Sequence, residues 1–423
     1  MKLNKLIVLV FSISILASLH AQGTWTIYTK DDGLTSNKIS HIFKDSKGNL
    51  WFIATIMNLD MEPEPMSSKG VIKFDGQSWT NYYDKNKLAI VNIIFEDSKG
   101  TIFLGTDIPG GLVGNGLTKI LGTSFETISK IGARHIVEDS NGRIWFGGKK
   151  FGSFDGISVT EYSKKEIGEK NITALYCDQK DNIWVGTKKG ISFFDGNNWN
   201  IISNVPHCPT KTVYSIISDA NGNIWIGAEE GVFKYDGNNW QNYTVADGLV
   251  GDATQLIEID SHNNIYAISG KPAGTASKLK MALANKGISV FENGNWRAFS
   301  DREGVPSNID FTSFWELKYF EDRSGNFWFN STDKAIYKFD GNTWTAYNEN
   351  NGFSANLFTT MIEDSNGNFW FALNNGLGKF DGQSWSYFTK GNVLPSNSIT
   401  SIIEDDDGNI WFGTKKGIVK YTP

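Results

Sequence analysis

The sequence is poorest in the features that would give it an obvious chemistry. It holds only two cysteines in 423 residues, Cys177 and Cys208. They fall at the end of one candidate strand and in the loop NVPHCPT, so they are expected at opposite ends of neighbouring repeat units, as free thiols and not a disulfide. There is no excess of positive charge: 40 Lys and Arg against 46 Asp and Glu leave a net charge of −6, which argues against nucleic acid as a partner. After the first residues no segment approaches the ~20 apolar residues that span a bilayer. Gly-x-Ser-x-Gly, His-Glu-x-x-His and phosphate-loop patterns are all missing, so no familiar nucleophile, metal or phosphate constellation is announced.

What is present is first a leader. Lys2 and Lys5 precede an apolar run from Leu6 to Leu19, followed by His20-Ala21-Gln22. This pattern reads as a secretory signal peptide over residues 1–21, cut after Ala21. With no cysteine after the run to carry a lipid, the mature chain is expected to be soluble, without a membrane span, and extracytoplasmic: periplasmic or secreted.

The remainder, residues 22–423, is one repeat. A segment such as EDSNGNFWF (363–371) or EDDDGNIWFG (404–413) recurs with its aromatic at Trp51, Phe103, Trp145, Trp184, Trp225, Tyr266, Trp328, Trp370 and Trp411. The usual spacing is about 41 residues, the period of a propeller blade. Each unit reads as four short strands: an apolar β-branched run, the Asp-x-x-Gly-Asn hairpin turn, a strand of the IWFGT type, a third strand ending in Asp-Gly, and a fourth. Trp25, Trp79, Trp199, Trp240, Trp296, Trp344 and Trp385 recur in the fourth-strand slot, and such large rings are expected to pack between sheets. The last unit, ending GIVKYTP, lacks a fourth strand, and GTWTIYT near the beginning is a fourth strand without a blade. Joining them closes the ring and removes the open edge. The expected fold is all-β, a single propeller of nine blades, with eight or seven as alternatives if the weaker units around Phe103 and Tyr266 do not form blades.

The unit Gly-Leu-x-x-Asn-x-Ile … Glu-Asp-x-x-Gly-Asn-Ile-Trp-Phe-Gly-Thr resembles the two-component regulator propeller repeat. Gly33, Leu34, Asn37 and Ile39 carry it, as do Asn397, Ile399, Glu404, Asp405 and Gly408 to Thr414. In that family such repeats form extracytoplasmic sensors of hybrid histidine kinases thought to recognise glycans or their breakdown products. The resemblance therefore implies a sensor-like, ligand-binding propeller. No kinase, receiver or transmembrane part is recognisable here, so a stand-alone member is expected.

The Asp-rich turn invites other readings. Asp405, Asp407 and Asn409 alternate like calcium ligands, but an EF-hand-type loop wants Gly at its sixth position and Glu at its twelfth, and a sister unit places Arg143 among the ligands. A sialidase-type Asp box has different Asp–Gly spacing. A hairpin turn is the simpler account, and neither a metal nor a cofactor is expected. His41 and His135 fall four residues before the turn Asp of their units, in a slot that otherwise holds Ile93, Ala174, Ser215, Leu256, Lys318, Thr360 and Ser401. A solvated channel explains the mixture; two histidines sharing a ligand is the alternative.

Departures from the repeat gather between second and third strands, at residues 54–69, 106–115 and 269–286, all on the face opposite the Asp-Gly turns. Insertions on one face of a repeat scaffold point to a binding surface. The same face receives the turn lysines Lys149, Lys150, Lys188, Lys189, Lys415 and Lys416, either as solvated residues or to attract an acidic ligand. Trp315, the one Trp outside a repeat slot, sits with Phe311, Phe314 and Glu316 in DFTSFWELKYF and could stack on a sugar or peptide. The expected function is a non-catalytic ligand-binding or sensor-like propeller, with a glycan-derived ligand or a protein as partner. A polysaccharide-active lyase or hydrolase at the channel mouth, and a protein-docking scaffold for a membrane receptor, are the alternatives.

Overall fold

The Asp of each Asp-x-x-Gly-Asn segment organises both the turn and the strand after it. In residues 363–370, Asp364 accepts hydrogen bonds from the backbone N–H of Asn366 (3.0 Å) and Asn368 (2.8 Å), from the Asn368 amide (2.9 Å), and from the indole Nε1 of Trp370 (2.8 Å). The turn needs a left-handed residue, which Gly367 supplies at φ 78°; Asp181 and Asn263 take that place in two units, as short polar side chains can. The Asp-to-Trp bond recurs at Trp51, Trp145, Trp184, Trp225, Trp328 and Trp411, over 2.7–3.0 Å. Tyr266 substitutes its hydroxyl, 3.0 Å from Asp260. Only Phe103, which has no donor, breaks the series.

The structure is a computed structural model describing residues 23–54, 70–84, 88, 91–106, 116–202, 205–270, 287–299, 320–331, 334–354 and 358–423. It contains nine four-stranded antiparallel sheets arranged as a ring, numbered here as blades 1 to 9. Blade 1 begins at His41–Lys44, blade 2 at Ile93–Glu96, blade 3 at His135–Glu138, blade 4 at Ile172–Cys177 and blade 5 at Val213–Ser218. Blades 6 to 9 begin at Ala253–Ile259, Phe320–Glu321, Phe358–Glu363 and Ile399–Glu404. The units around Phe103 and Tyr266 form complete sheets, so the alternatives of seven and eight blades fall away. Thr24–Tyr28 pairs antiparallel with Gly417–Thr422, Thr24 opposite Thr422 and Tyr28 opposite Ile418, and completes blade 9.

The first strand of each blade is innermost, since neighbouring blades approach through their first strands. Gly in the IWFG strand permits that approach: a Cβ on Gly186 would lie 2.6 Å from Cγ1 of Val213 in the next blade. The core runs between the sheets. Trp411 is fully buried against Phe74 and Trp79 of blade 1, at 5.2 and 6.3 Å between ring centroids. Trp145, Trp184, Trp225 and Trp370 receive the fourth-strand Trp of the following blade in the same edge-on manner.

A second set of bonds ties the turns of adjacent blades together. Ser46 donates its N–H and hydroxyl to Glu96 of blade 2 (2.7 and 2.6 Å), and Ser98 does the same to Glu138 of blade 3 (2.6 and 2.8 Å). Ser365 binds Glu404 likewise. Where the repeat lacks Glu, Asp181 receives Ser140 and Asn263 receives the N–H of Ala220. In the string Glu-Asp-Ser, Glu therefore holds the previous blade, Asp holds its own Trp, and Ser reaches the next blade. The Asp oxygens serve the turn, and no group of three His, Cys, Asp or Glu suited to a metal occurs among the described residues.

Candidate functional site

The face opposite these turns carries the links between blades and the connections from second to third strands. The links are shaped by local capping. Thr29 caps a short 3-10 turn over Lys30–Asp32, with Asp32 bonded back to the Thr29 N–H. Asn37 accepts from the Lys30 N–H at 2.7 Å, while Leu34 and Ile39 are buried. Thr244 with Asp247 and Asp252, and Thr389 with Asn392 and Asn397, repeat the arrangement. This is the physical content of Gly-Leu-x-x-Asn-x-Ile.

Each link delivers the chain to the inner strand through an irregularity. In blades 4, 5, 6, 8 and 9 the register of the first two strands shifts at Thr173, Tyr214, Gln255, Thr359 and Thr400, leaving one residue out of the ladder as a β-bulge does. The equivalent residues in blades 1 to 3 are Ser40, Asn92 and Arg134, one residue ahead of their strands. All eight are polar. Ser40, Asn92, Arg134 and Thr359 are exposed although they stand at or just before the link-face end of the innermost strand. The Tyr214 hydroxyl is pushed up from its usual acidity by burial, then by the carboxylate of Glu229, which places it beside that turn.

Sequence reasoning chose the neighbouring slot, one residue later. His41 stands opposite Ile53 and His135 opposite Gly147, on blades 1 and 3 with blade 2 between them. In this slot Ser215 and Ser401 accept from the N–H groups of Ile257 and Ile42 in the next blades, at 3.0 and 3.2 Å. Part of the slot thus stitches blades together, as do two residues of the neighbouring set, Thr173 and Thr400, whose hydroxyls donate to the carbonyls of Val213 and Ile39 in the next blades. The residue before the slot is polar in eight of the nine repeat units, with Leu317 as the exception in the sequence, while the slot itself is mixed.

The lysine turns form because Thr187 and Thr414 bond across them, each hydroxyl donating to the carbonyl of Gly190 or Gly417 and accepting from Lys189 or Lys416. The structure brings Lys149, Lys150, Lys188 and Lys189 onto adjacent blades 3 and 4. Lys415 and Lys416 stand on blade 9, with blades 1 and 2 intervening. Lys150 pairs with Glu161 at 2.8 Å and Lys189 with Glu169 at 3.9 Å. Blade 5 carries Glu229 and Glu230 in the equivalent turn, a neighbouring negative pair that sequence reasoning passed over. Phe311, Phe314, Trp315, Glu316 and Lys318, most of the insertions 54–69, 106–115 and 269–286, and the leader at 1–21 lie outside the described residues. No helix among the described residues is long and apolar enough to cross a membrane.

Cys177 and Cys208 are both free. The Cys177 thiol is pushed up to about 12 by burial, then by Asp181, Asp139 and Asp178, so it is poorly suited to nucleophilic work.

Fold and inner ring together define a nine-bladed β-propeller with a polar channel mouth on its link face. Four of its repeats match a known family model: the two component regulator propeller model matches residues 33–54, 166–189, 209–230 and 393–416, each span covering a link or inner strand with the second strand after it. No curated protein matches the chain. Among solved structures, the chain is similar to the extracellular domain assigned to the hybrid two component system BT3049 of B. thetaiotaomicron, with 19% identity and a TM-score of 0.38, covering 92% of this chain and 57% of that one. It is similar also to PorZ, a surface component of the type-IX secretion system of Porphyromonas gingivalis (18%, 0.42, 90% and 61%). A third likeness is to virginiamycin B lyase from Staphylococcus aureus (15%, 0.37, 68% and 94%). The chain thus spans less than two thirds of the first two structures.

Proposed function

We propose that the chain is an extracytoplasmic, non-catalytic, sensor-like propeller that binds a ligand over the channel mouth of its link face. The observation that carries this reading is the set formed by Ser40, Asn92, Arg134, Thr173, Tyr214, Gln255, Thr359 and Thr400: eight of the nine blades contribute a polar group at one level, beside the connections whose lengths vary most. A ring of neutral hydrogen-bonding groups with one guanidinium suits a hydroxyl-rich ligand bearing little charge, which favours a glycan fragment. His41, His135, Lys188, Lys189, Lys415 and Lys416 border the same face, and Phe311, Trp315, Glu316 and Lys318 are proposed for it from the sequence alone.

A thermal-shift screen of the full chain against neutral and acidic oligosaccharides tests the reading. A shift in the wild type that is lost in Arg134→Ala and Tyr214→Ala supports it. Chromatographic detection of cleaved products would replace it with a lyase or hydrolase. No shift and no cleavage with any glycan would leave protein docking in its place.

A further inference from the structure

The interface between blades 1 and 2 departs from the others in a way that opens a cavity. At the interfaces entering blades 1, 4, 5, 6 and 9, the second-strand Trp is covered by a Phe or Tyr and a Trp from the later blade, such as Phe194 and Trp199 on Trp145. In blade 2 the corresponding pair is Ile120 and Phe125, which face each other across the third and fourth strands. They are too small to replace that cover. Trp51 stacks on Tyr82 of its own blade at 5.5 Å, while Ile120 and Phe125 pack against the same cluster without a comparable ring-on-ring cover. A cavity of about 410 Å³ results, floored by Trp51 and Tyr82.

The lining of this cavity is cationic. Lys47 and Lys73 of blade 1 and Lys99 and Lys119 of blade 2 all border it. Lys73 holds its ammonium 5.7 Å from the centre of the Trp51 ring, fixed over the negative face of the indole. None of the four makes an ion pair among the described residues. The carboxylates nearby are either occupied or single: Asp45 accepts from Lys47 N–H, Asn49 and Trp51, Glu96 is held by Ser46, and Glu126 alone faces Lys119 across the ladder. The four lysines outnumber the single carboxylate of the lining, Asp45, so a further negative charge is attracted there.

We propose that this cleft, on the opposite face from the channel-mouth ligand and independent of it, binds a small multivalent oxyanion carrying phosphate or carboxylate groups. Lys73 and Lys119 grip it from the two blades, and Lys47, whose ammonium reaches over Gly100 of blade 2, closes over it.

Isothermal titration of the full chain with inorganic pyrophosphate and, separately, with citrate, at constant ionic strength, tests this and distinguishes phosphate from carboxylate. One site is expected for at least one of the two anions, weakened at least tenfold in Lys73→Gln/Lys119→Gln. A second variant, Ile120→Phe/Phe125→Trp, restores the aromatic pair of the other blades. It is expected to raise the unfolding midpoint while abolishing the site, which separates loss of binding from loss of fold. Failure of the wild type to bind either anion at millimolar concentration overturns the proposal. So does binding that survives in both variants.

Discussion

Lys44 of blade 1 meets Asp406 of blade 9 at 2.8 Å, at the place where Ser46 and Glu96, or Ser365 and Glu404, join other blades. The ring-closing interface thus uses a salt bridge where several others use Ser and Glu. Lys44 stands in the Glu position of its unit and Asp406 in the Ser position, so the first and last blades are matched to each other. Reversing one charge, as in Asp406→Lys, is expected to lower the unfolding midpoint, and the swap Lys44→Asp/Asp406→Lys to recover most of the loss. The coupling should be modest, about 0.2–1 kcal/mol for an exposed pair. A double-mutant cycle by chemical denaturation measures it, and additive losses would show that the pair does not act as a unit.

Replacing Trp370 by Phe keeps a ring between blades 8 and 9 but removes the donor to Asp364. We expect a loss of about 1–3 kcal/mol, the range for leaving a buried polar group without its partner. Asp364→Ala should cost more, because the turn bonds from Asn366 and Asn368 go with it. Equal stability of Trp370→Phe and wild type would reduce the indole to a packing role.

Acid should weaken the ring through its turn aspartates. Asp75 is held down to about 2 by the backbone N–H groups of Ser78 and Gln77. Asp340 is held to about 2 by the Thr343 hydroxyl and the N–H groups of Thr343 and Asn342. A carboxyl more acidic folded than unfolded stabilises the fold above its ordinary value of 3.8 and ceases to do so as pH falls towards 2. Melting temperature should therefore be flat with respect to these groups above pH 5 and drop between about pH 4 and 2. Asp340→Asn should be less stable than wild type at pH 6 and closer to it at pH 2; an unchanged gap would contradict the assignment.

The thiols should be quiet. With Cys177 pushed up to about 12 and Cys208 buried, native protein at pH 8 is expected to react slowly with a thiol reagent and to release two equivalents on unfolding. Rapid stoichiometric labelling of the native chain would show that Cys177 is more open than its surroundings imply.

Blade number, strand order and ring closure were legible because they rest on local periodicity: Trp411 follows Asp405 by the same interval as Trp51 follows Asp45. What the Asp does for the Trp was not legible, since spacing alone does not show that an indole points back at a carboxylate six residues earlier. The Ser–Glu clamp was hidden for another reason, its partners lying a whole blade apart. Even so it left a trace. Blade 4 carries Cys177 where Glu would stand and supplies Asp181 instead, and blade 6 carries Ile259 there and supplies Asn263. The channel-mouth ring was missed by one residue, because a bulge breaks the two-residue alternation on which strand faces are assigned. The cavity before Trp51 needed volumes: Ile120 and Phe125 look like conservative repeat variants until their missing bulk is seen in place.

The pairing of Thr24–Tyr28 with Gly417–Thr422 also sets a timetable. The first strand of the ring to leave the ribosome is the last to find its partner, since that partner is the last strand of the ring to be made. Until then Trp25 has no Tyr421 to pack against, and the chain carries an unmated strand at its front while blades 1 to 8 assemble behind it. Thermodynamically the wait is cheap, because each doubling of a closed loop costs only about 0.6 kcal/mol. Kinetically it leaves a strand edge open until the last blade is made, when pairing with a second nascent chain competes with self-closure. Dilution or a slow supply of chains should therefore favour the closed ring over swapped oligomers.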